Sequence, residues 1–258
     1  MNRRKFLATS ALAGAGSTTI LQAAHHKSTE QRYHELIRFE VVNNAKRGQL
    51  EKFLGDTVIP GLNKLDCNPI GVFRPKYGAH GAEVYMLVPH PSIDSFLTAW
   101  DKLEATAAYK AAADTEMGEP LYERMESSLM KSFSGMPEVE VPDAIVGQKG
   151  RIFELRTYES HNRLKATRKI EMFNEGGEIQ IFRDVGLHPV FFGKTLSGPL
   201  MPNLVYMLAF KDMEQRDKHW KQFSASPGWA ELKKETRYKD TVSAITDVIL
   251  SASPVSQI

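Results

Sequence analysis

One feature narrows the fold before any other: the chain repeats itself at an offset of about 120 residues, a domain-sized period rather than that of a solenoid. His34-Glu35-Leu36-Ile37 lies opposite Phe153-Glu154-Leu155-Arg156, and Pro69 opposite Pro189. Val84-Tyr85-Met86-Leu87 recurs as Val205-Tyr206-Met207-Leu208, Trp100 matches Trp220, Tyr109 matches Trp229, and Leu129-Met130 matches Ile249-Leu250. Matches that keep their order over this length imply that whatever the first half folds into, the second half folds into as well.

Each half carries the same succession of elements. In the first, a strand over 33–42 precedes a helix over 47–65, where Leu50, Phe53, Leu54, Val58, Leu62 and Leu65 recur at helical spacing. Two strands follow, 70–75 and 82–88, then a helix capped by Ser92, a shorter helix and a closing strand over 122–131. The second half predicts a strand over 151–158, helices over 163–173 and 177–184, and strands over 188–195 and 204–210. A helix over 212–223, another starting at Ser226-Pro227 and a strand over 241–250 complete it. The order β-α-β-β-α-β is that of a ferredoxin-like α+β unit, with helices on one face of a four-stranded antiparallel sheet. Its other sheet face needs a cover. Two such sheets in one chain provide it by facing each other, as an intrachain pseudo-dimeric α/β barrel.

The repeats span residues 30–131 and 151–252, with a Pro- and Gly-containing linker over 132–150. Residues 1–24 read as a twin-arginine export signal: Asn2-Arg3-Arg4-Lys5-Phe6-Leu7, then an uncharged run rich in Ala, Gly, Ser and Thr. That predicts a periplasmic or extracellular destination, with membrane contact limited to the signal. Its removal takes away three basic residues and no acid, so the formal charge of +2 becomes −1. A near-neutral chain without a Lys/Arg cluster argues against nucleic acid as a partner. The single cysteine, Cys67, permits no intrachain disulfide. Beside Asp66 and without a basic neighbour in sequence, it is expected to be unreactive.

Strand alternation places Glu154, Arg156 and Tyr158 on one face and Phe153 and Leu155 on the other. If the apolar pair meets the helices, the polar three enter the barrel. There Arg156 could grip an anionic or carbonyl group and Tyr158 stack on it, or Glu154 and Arg156 could form an ion pair that only fixes register. The run Glu175-Gly176-Gly177-Glu178 offers either a close backbone approach with Glu175 or Glu178 as a base, or a helix break with Glu178 in the next first turn. Eight histidines are scattered without ligand spacing, so neither a metal nor a cofactor is expected. His188, ahead of Pro189, either caps a turn or sits at the mouth of the lumen.

The runs Phe153–Tyr158, Gly176–Arg183, Pro189–Gly193 and Met201–Leu208 resemble the NIPSNAP family in a two-repeat bacterial form. The resemblance implies a dimeric α/β-barrel fold and no agreed enzymatic activity. With it, Glu154, Arg156, Tyr158, Glu178, Arg183, His188, Asn203 and Tyr206 become the candidate ligand contacts. Ile37 stands where the second copy has Arg156, so the polar site is expected to be one-sided, centred on the second copy. The leading expectation is an exported protein holding a small carbonyl- or carboxylate-bearing molecule between its repeats. A cofactor-independent oxygenase or isomerase, and a protein–protein assembly module or homo-oligomer, are the alternatives.

Overall fold

The computed structural model describes residues 32–77, 81–116 and 120–258; the expected export signal lies outside the described residues. The first copy runs β1 (Tyr33–Val41), α1 (Asn44–Phe53), a wider π turn (Leu54–Val58) leading straight into α2 (Ile59–Asn63), β2 (Gly71–Pro75), β3 (Ala82–His90), α3 (Ile93–Glu104), α4 (Ala107–Glu116) and β4 (Arg124–Ser132). The second runs β5 (Ile152–Glu159), α5 (Arg163–Phe173), α6 (Glu178–Asp184), β6 (His188–Ser197), β7 (Asn203–Phe210), α7 (Met213–Ala225), α8 (Pro227–Leu232) and β8 (Ala244–Ala252).

Local chemistry sets the helix starts. Asn43 accepts from the N–H groups of Ala45 and Lys46, Ser92 from Ser95, Asn162 from Lys165 and Asp212 from Gln215, each at 2.8–3.0 Å. Between α5 and α6, Gly177 takes φ 81°, and a Cβ on Gly176 would lie 2.5 Å from the Met172 carbonyl oxygen. The glycine pair is therefore a helix break, with Glu178 opening α6.

The eight strands close into one antiparallel barrel in the order β1-β3-β2-β8-β5-β7-β6-β4. Each copy contributes a four-stranded sheet. The seams are short ladders, β2 on β8 (Phe73↔Ala252 to Pro75↔Leu250) and β4 on β6 (Leu129↔Ser197 to Ser132↔Gly193). Outside, Leu50, Leu54, Val58 and Leu62 pack on Ile37, Phe39, Val84 and Met86 of the first sheet. Phe173, Phe182 and Phe223 cover Tyr206, Leu208 and Phe210 of the second. Inside, Phe73, Leu87, Met130, Phe153, Phe191, Met207 and Leu250 fill the lumen. Val139 and Ile145, from the segment between the copies, and the C-terminal Ile258 join that inner cluster. The Glu140 N–H bonds the Val190 carbonyl at 2.8 Å, so this segment closes the barrel end where β6 begins.

One expectation is inverted. Phe153 and Leu155 belong to the lumen, and Glu154, Arg156 and Tyr158 face the helices. The alternation holds, but its sign does not. On the lumen side β5 meets apolar side chains such as Phe73, Met207 and Leu250, whereas α7 carries an indole N–H and a guanidinium that pair with Glu154.

Candidate functional site

Five of the eight candidate residues converge under the helices of the second copy. Glu154 is fully buried and saturated: Oε1 accepts from Arg156 at 2.6 Å and Arg216 at 2.5 Å, and Oε2 from the Trp220 indole N–H at 2.7 Å. Arg156 lies over the Trp220 ring at 4.8 Å and near Tyr158 at 5.5 Å. Burial alone would lower its pKa, yet the neighbouring Tyr206, Tyr158 and Glu154 raise it, so its charge is fixed. The Tyr206 hydroxyl donates to that of Tyr158 at 2.9 Å, and burial beside Tyr158 drives the Tyr206 phenol well above its usual range. Lys169 and Glu178 form a buried ion pair at 2.6 Å against the Phe173 ring. A carboxylate holding three donors is no proton acceptor, so Glu154 orders the sheet–helix interface rather than supplying a base.

The first copy repeats the theme in other residues. Glu35 accepts from Trp100 Nε1 at 2.9 Å, Ser127 at 2.6 Å and His90 at 3.4 Å. Burial would raise its pKa, but these hydrogen bonds outweigh it and hold the carboxyl below its usual value. A carboxylate on the first strand, anchored by a tryptophan of the helix that follows the central hairpin (α3 or α7), is thus built into both copies.

The cavity is elsewhere, inside the barrel at the end away from the inter-repeat segment. It measures about 170 Å³ and takes its walls from both copies: Leu36, Tyr85 and Ser128 from the first, Leu155, Thr157 and Val248 from the second. The partly exposed Arg38, Glu126 and Leu200 and the buried Asn203 also line it. Arg38 donates to Glu83 at 2.7 Å and to Glu126 at 3.1 Å, with Glu40 at 2.9 Å. Tyr85 donates to Glu83 at 3.1 Å. These carboxylates raise the Arg38 pKa, and burial beside Glu83 raises that of Tyr85. The one-sidedness of the polar site is therefore real but reversed: the lumen arginine belongs to the first copy, opposite Thr157 in the second. Asn203 accepts from Thr195 at 2.5 Å and donates to the Pro199 carbonyl at 2.8 Å, bracing the β6–β7 hairpin over the opening.

The NIPSNAP family model matches twice, at residues 34–137 and 153–257. The chain belongs to the NIPSNAP family. A Burkholderia xenovorans protein with a NIPSNAP-like domain is 24% identical over 40% of this chain and 86% of its own, with a TM-score of 0.36. A Lactobacillus acidophilus protein proposed to be a monooxygenase covers 86% of this chain and 94% of its own at 11% identity and a TM-score of 0.56. A proposed chlorite dismutase covers 88% and 96% at 11% identity and a TM-score of 0.50. At such identities the last two share the barrel fold alone. A search of curated proteins returns no match.

The remaining candidates of this NIPSNAP chain lie outside that cluster. Arg183 holds Glu140 through two bonds of 3.0 and 2.8 Å, tying α6 to the inter-repeat segment at the surface. His188 stands 6.3 Å from His219, ring to ring, and burial together with His219 and Arg183 lowers its pKa. Cys67 has a basic neighbour in space that its flanking sequence does not show. Fully buried, its Sγ lies 3.5 Å from His90 Nδ1 and 3.5 Å from Ser95 Oγ. His90 is brought there by β3, from 23 residues away. Among the described residues, no group of three or more His, Cys, Asp or Glu side chains is placed to share a metal ion.

Proposed function

We propose that this NIPSNAP chain binds a small, largely apolar molecule bearing a carbonyl or hydroxyl group in the cavity between its repeats. The observation that carries this reading is the cavity itself, whose apolar walls come from both copies and whose polar groups include the hydroxyls of Ser128, Thr157 and Thr246. A carboxylate ligand fits less well than the sequence suggested. The lumen guanidinium, Arg38, already holds Glu40, Glu83 and Glu126, and a carboxylate would have to displace one of them. A volume of about 170 Å³ is also well under the roughly 300–1,000 Å³ of sites for drug-sized molecules, so the occupant has few heavy atoms. The twin-arginine pattern over residues 2–7 supports an exported setting for this binding.

The test is a thermal-shift and native mass-spectrometry panel of small ketones, amides and alcohols on the purified protein. At least one member should bind the wild type, and Leu155→Trp, which fills the cavity, should abolish the shift. Binding that survives in Leu155→Trp, or a panel with no binder at all, would count against the cavity as the site.

A further inference from the structure

Among the described residues, three that are not glycine take a left-handed backbone: Asp66 at φ 61°, Asp240 at φ 55° and Leu200 at φ 59°. Aspartate tolerates that region because its short polar side chain can bond to nearby backbone. Leucine has no such compensation, and its Cβ crowds the following carbonyl oxygen. Leu200 is therefore the outlier that needs a physical account.

Packing within the fold does not supply one. Leu200 is 55% exposed, so little burial offsets the strain. Glycine or asparagine would suit the turn without leaving apolar surface in water. What this conformation achieves is placement, because Leu200 lines the cavity between the repeats together with Pro199 and Asn203 of the same turn. The turn is anchored on both sides. Asn203 donates to the Pro199 carbonyl at 2.8 Å, and the Ser160 N–H to that of Pro202 at 2.9 Å. Gly198, at φ 153°, sits so close to β4 that a Cβ there would stand 2.7 Å from Ser128 Oγ. The hairpin tip of the second copy thus rests on a cavity-lining residue of the first, with Leu200 carried between its anchors. A half-exposed leucine at the edge of a cavity completes its burial only when the cavity is filled.

We infer that Leu200 is a ligand-contacting, specificity-determining residue of this cavity. Its strained backbone holds an apolar side chain against the outer end of the bound molecule, which is uncharged and apolar there. This rests on the reading of the cavity as a binding site and adds to it the residue that selects the ligand's outer end.

The test pairs affinity with stability in the full chain. Binding of 1-butanol and 1,4-butanediol is titrated by ligand-observed NMR, and urea midpoints are measured without ligand. Leu200→Gly and Leu200→Asn should weaken 1-butanol about tenfold, the effect of uncovering part of a leucine side chain. Their midpoints should hold or rise, since neither residue is strained there. Leu200→Met should keep the affinity within about twofold. The wild type should prefer 1-butanol to the diol, and Leu200→Asn should lose that preference. Leu155→Trp, or Val248→Phe if the tryptophan variant does not fold, should abolish binding of both probes. If the Leu200 variants bind like the wild type while the filled cavity excludes 1-butanol, the inference about Leu200 is wrong and the cavity reading stands. A midpoint that drops in both Leu200→Gly and Leu200→Asn overturns it as well, since Leu200 would then serve the fold. If the wild type binds neither probe, or filling the cavity changes nothing, both readings fall.

Discussion

Lys169→Met should destabilise the protein by about 3–5 kcal/mol at pH 7, the usual cost of breaking a buried ion pair from one side. Both partners are almost wholly out of solvent, with side-chain exposures of 4% and 3%, and they meet at 2.6 Å. The ammonium also lies 4.4 Å from the Phe173 ring centre and 5.7 Å from those of Tyr158 and Trp229, so methionine loses cation–π attraction while keeping most of the volume. What dominates is the carboxylate left behind. Burial already raises the Glu178 pKa, even with Lys169 pulling the other way. An acid whose folded pKa stands above its unfolded value favours the protonated fold, so stability falls as pH climbs above the unfolded value. Without Lys169 that tendency is unopposed, and the variant's deficit should be smaller at pH 5 than at pH 8. Lys169→Met combined with Glu178→Met should recover most of the loss, because a buried pair replaced by apolar groups of similar size is often neutral or stabilising. Urea unfolding of the three proteins at both pH values measures all of this. A single variant costing under about 1 kcal/mol would mean that water reaches the pair.

The same cluster shows how far the sequence could be read. Internal repetition gave the element order of both copies and, through it, the barrel, because an offset kept over so many residues fixes connectivity without any knowledge of packing. Alternation in β5 correctly separated Phe153 and Leu155 from Glu154, Arg156 and Tyr158. Which set faced the helices was decided by side chains on another element, Arg216 and Trp220 of α7. A signal for it was present: Glu35 and Trp100 recur as Glu154 and Trp220, at separations of 65 and 66 residues. A carboxylate and an indole that return together in both copies read as a pair, and the pair puts the carboxylate on the helix side. With that sign, Arg38 and Thr157 become lumen residues. The cavity would still have been hard to find, since its walls come from β1, β3, β4, β5, β6, β7 and β8 and no local spacing unites them. The Cys67–His90 contact was hidden for the same reason, as the register of β3 and not the neighbouring sequence creates it.

His34→Phe should stabilise the protein and remove much of its sensitivity to mild acid. His34 is fully buried in the lumen, edge-on to Phe191 at 5.6 Å, and neither ring nitrogen has a hydrogen-bond partner among the described residues. Its counterpart in the second copy is Phe153, which fills the equivalent place against Phe73 at 4.9 Å. Burial, with His90 and Arg32 nearby, pushes the His34 pKa down to about 3. Below about pH 6.5 the unfolded chain takes up a proton that the fold refuses, so stability falls with pH, by about 1.4 kcal/mol per unit. Between pH 6.5 and 4.5, above most carboxylate titration, that amounts to about 3 kcal/mol. His90 acts in the opposite sense. Burial would lower its pKa, but bonds to Cys67 and Glu35 outweigh this and raise it to about 9. Its stabilisation is complete below about pH 6.5 and is lost as pH rises through 9. Two histidines at the same end of the ladder joining β1 to β3, His34 on the lumen face and His90 on the helix face, thus bound a stability maximum near pH 6.5. His34→Phe should flatten the acid side of that maximum and leave the alkaline side intact, whereas His90→Gln should do the reverse. Urea midpoints measured from pH 4.5 to 9 separate the two. An acid slope that survives unchanged in His34→Phe would show that this ring finds a partner or a proton inside the barrel, and that the lumen at that end is wetter than its phenylalanines suggest.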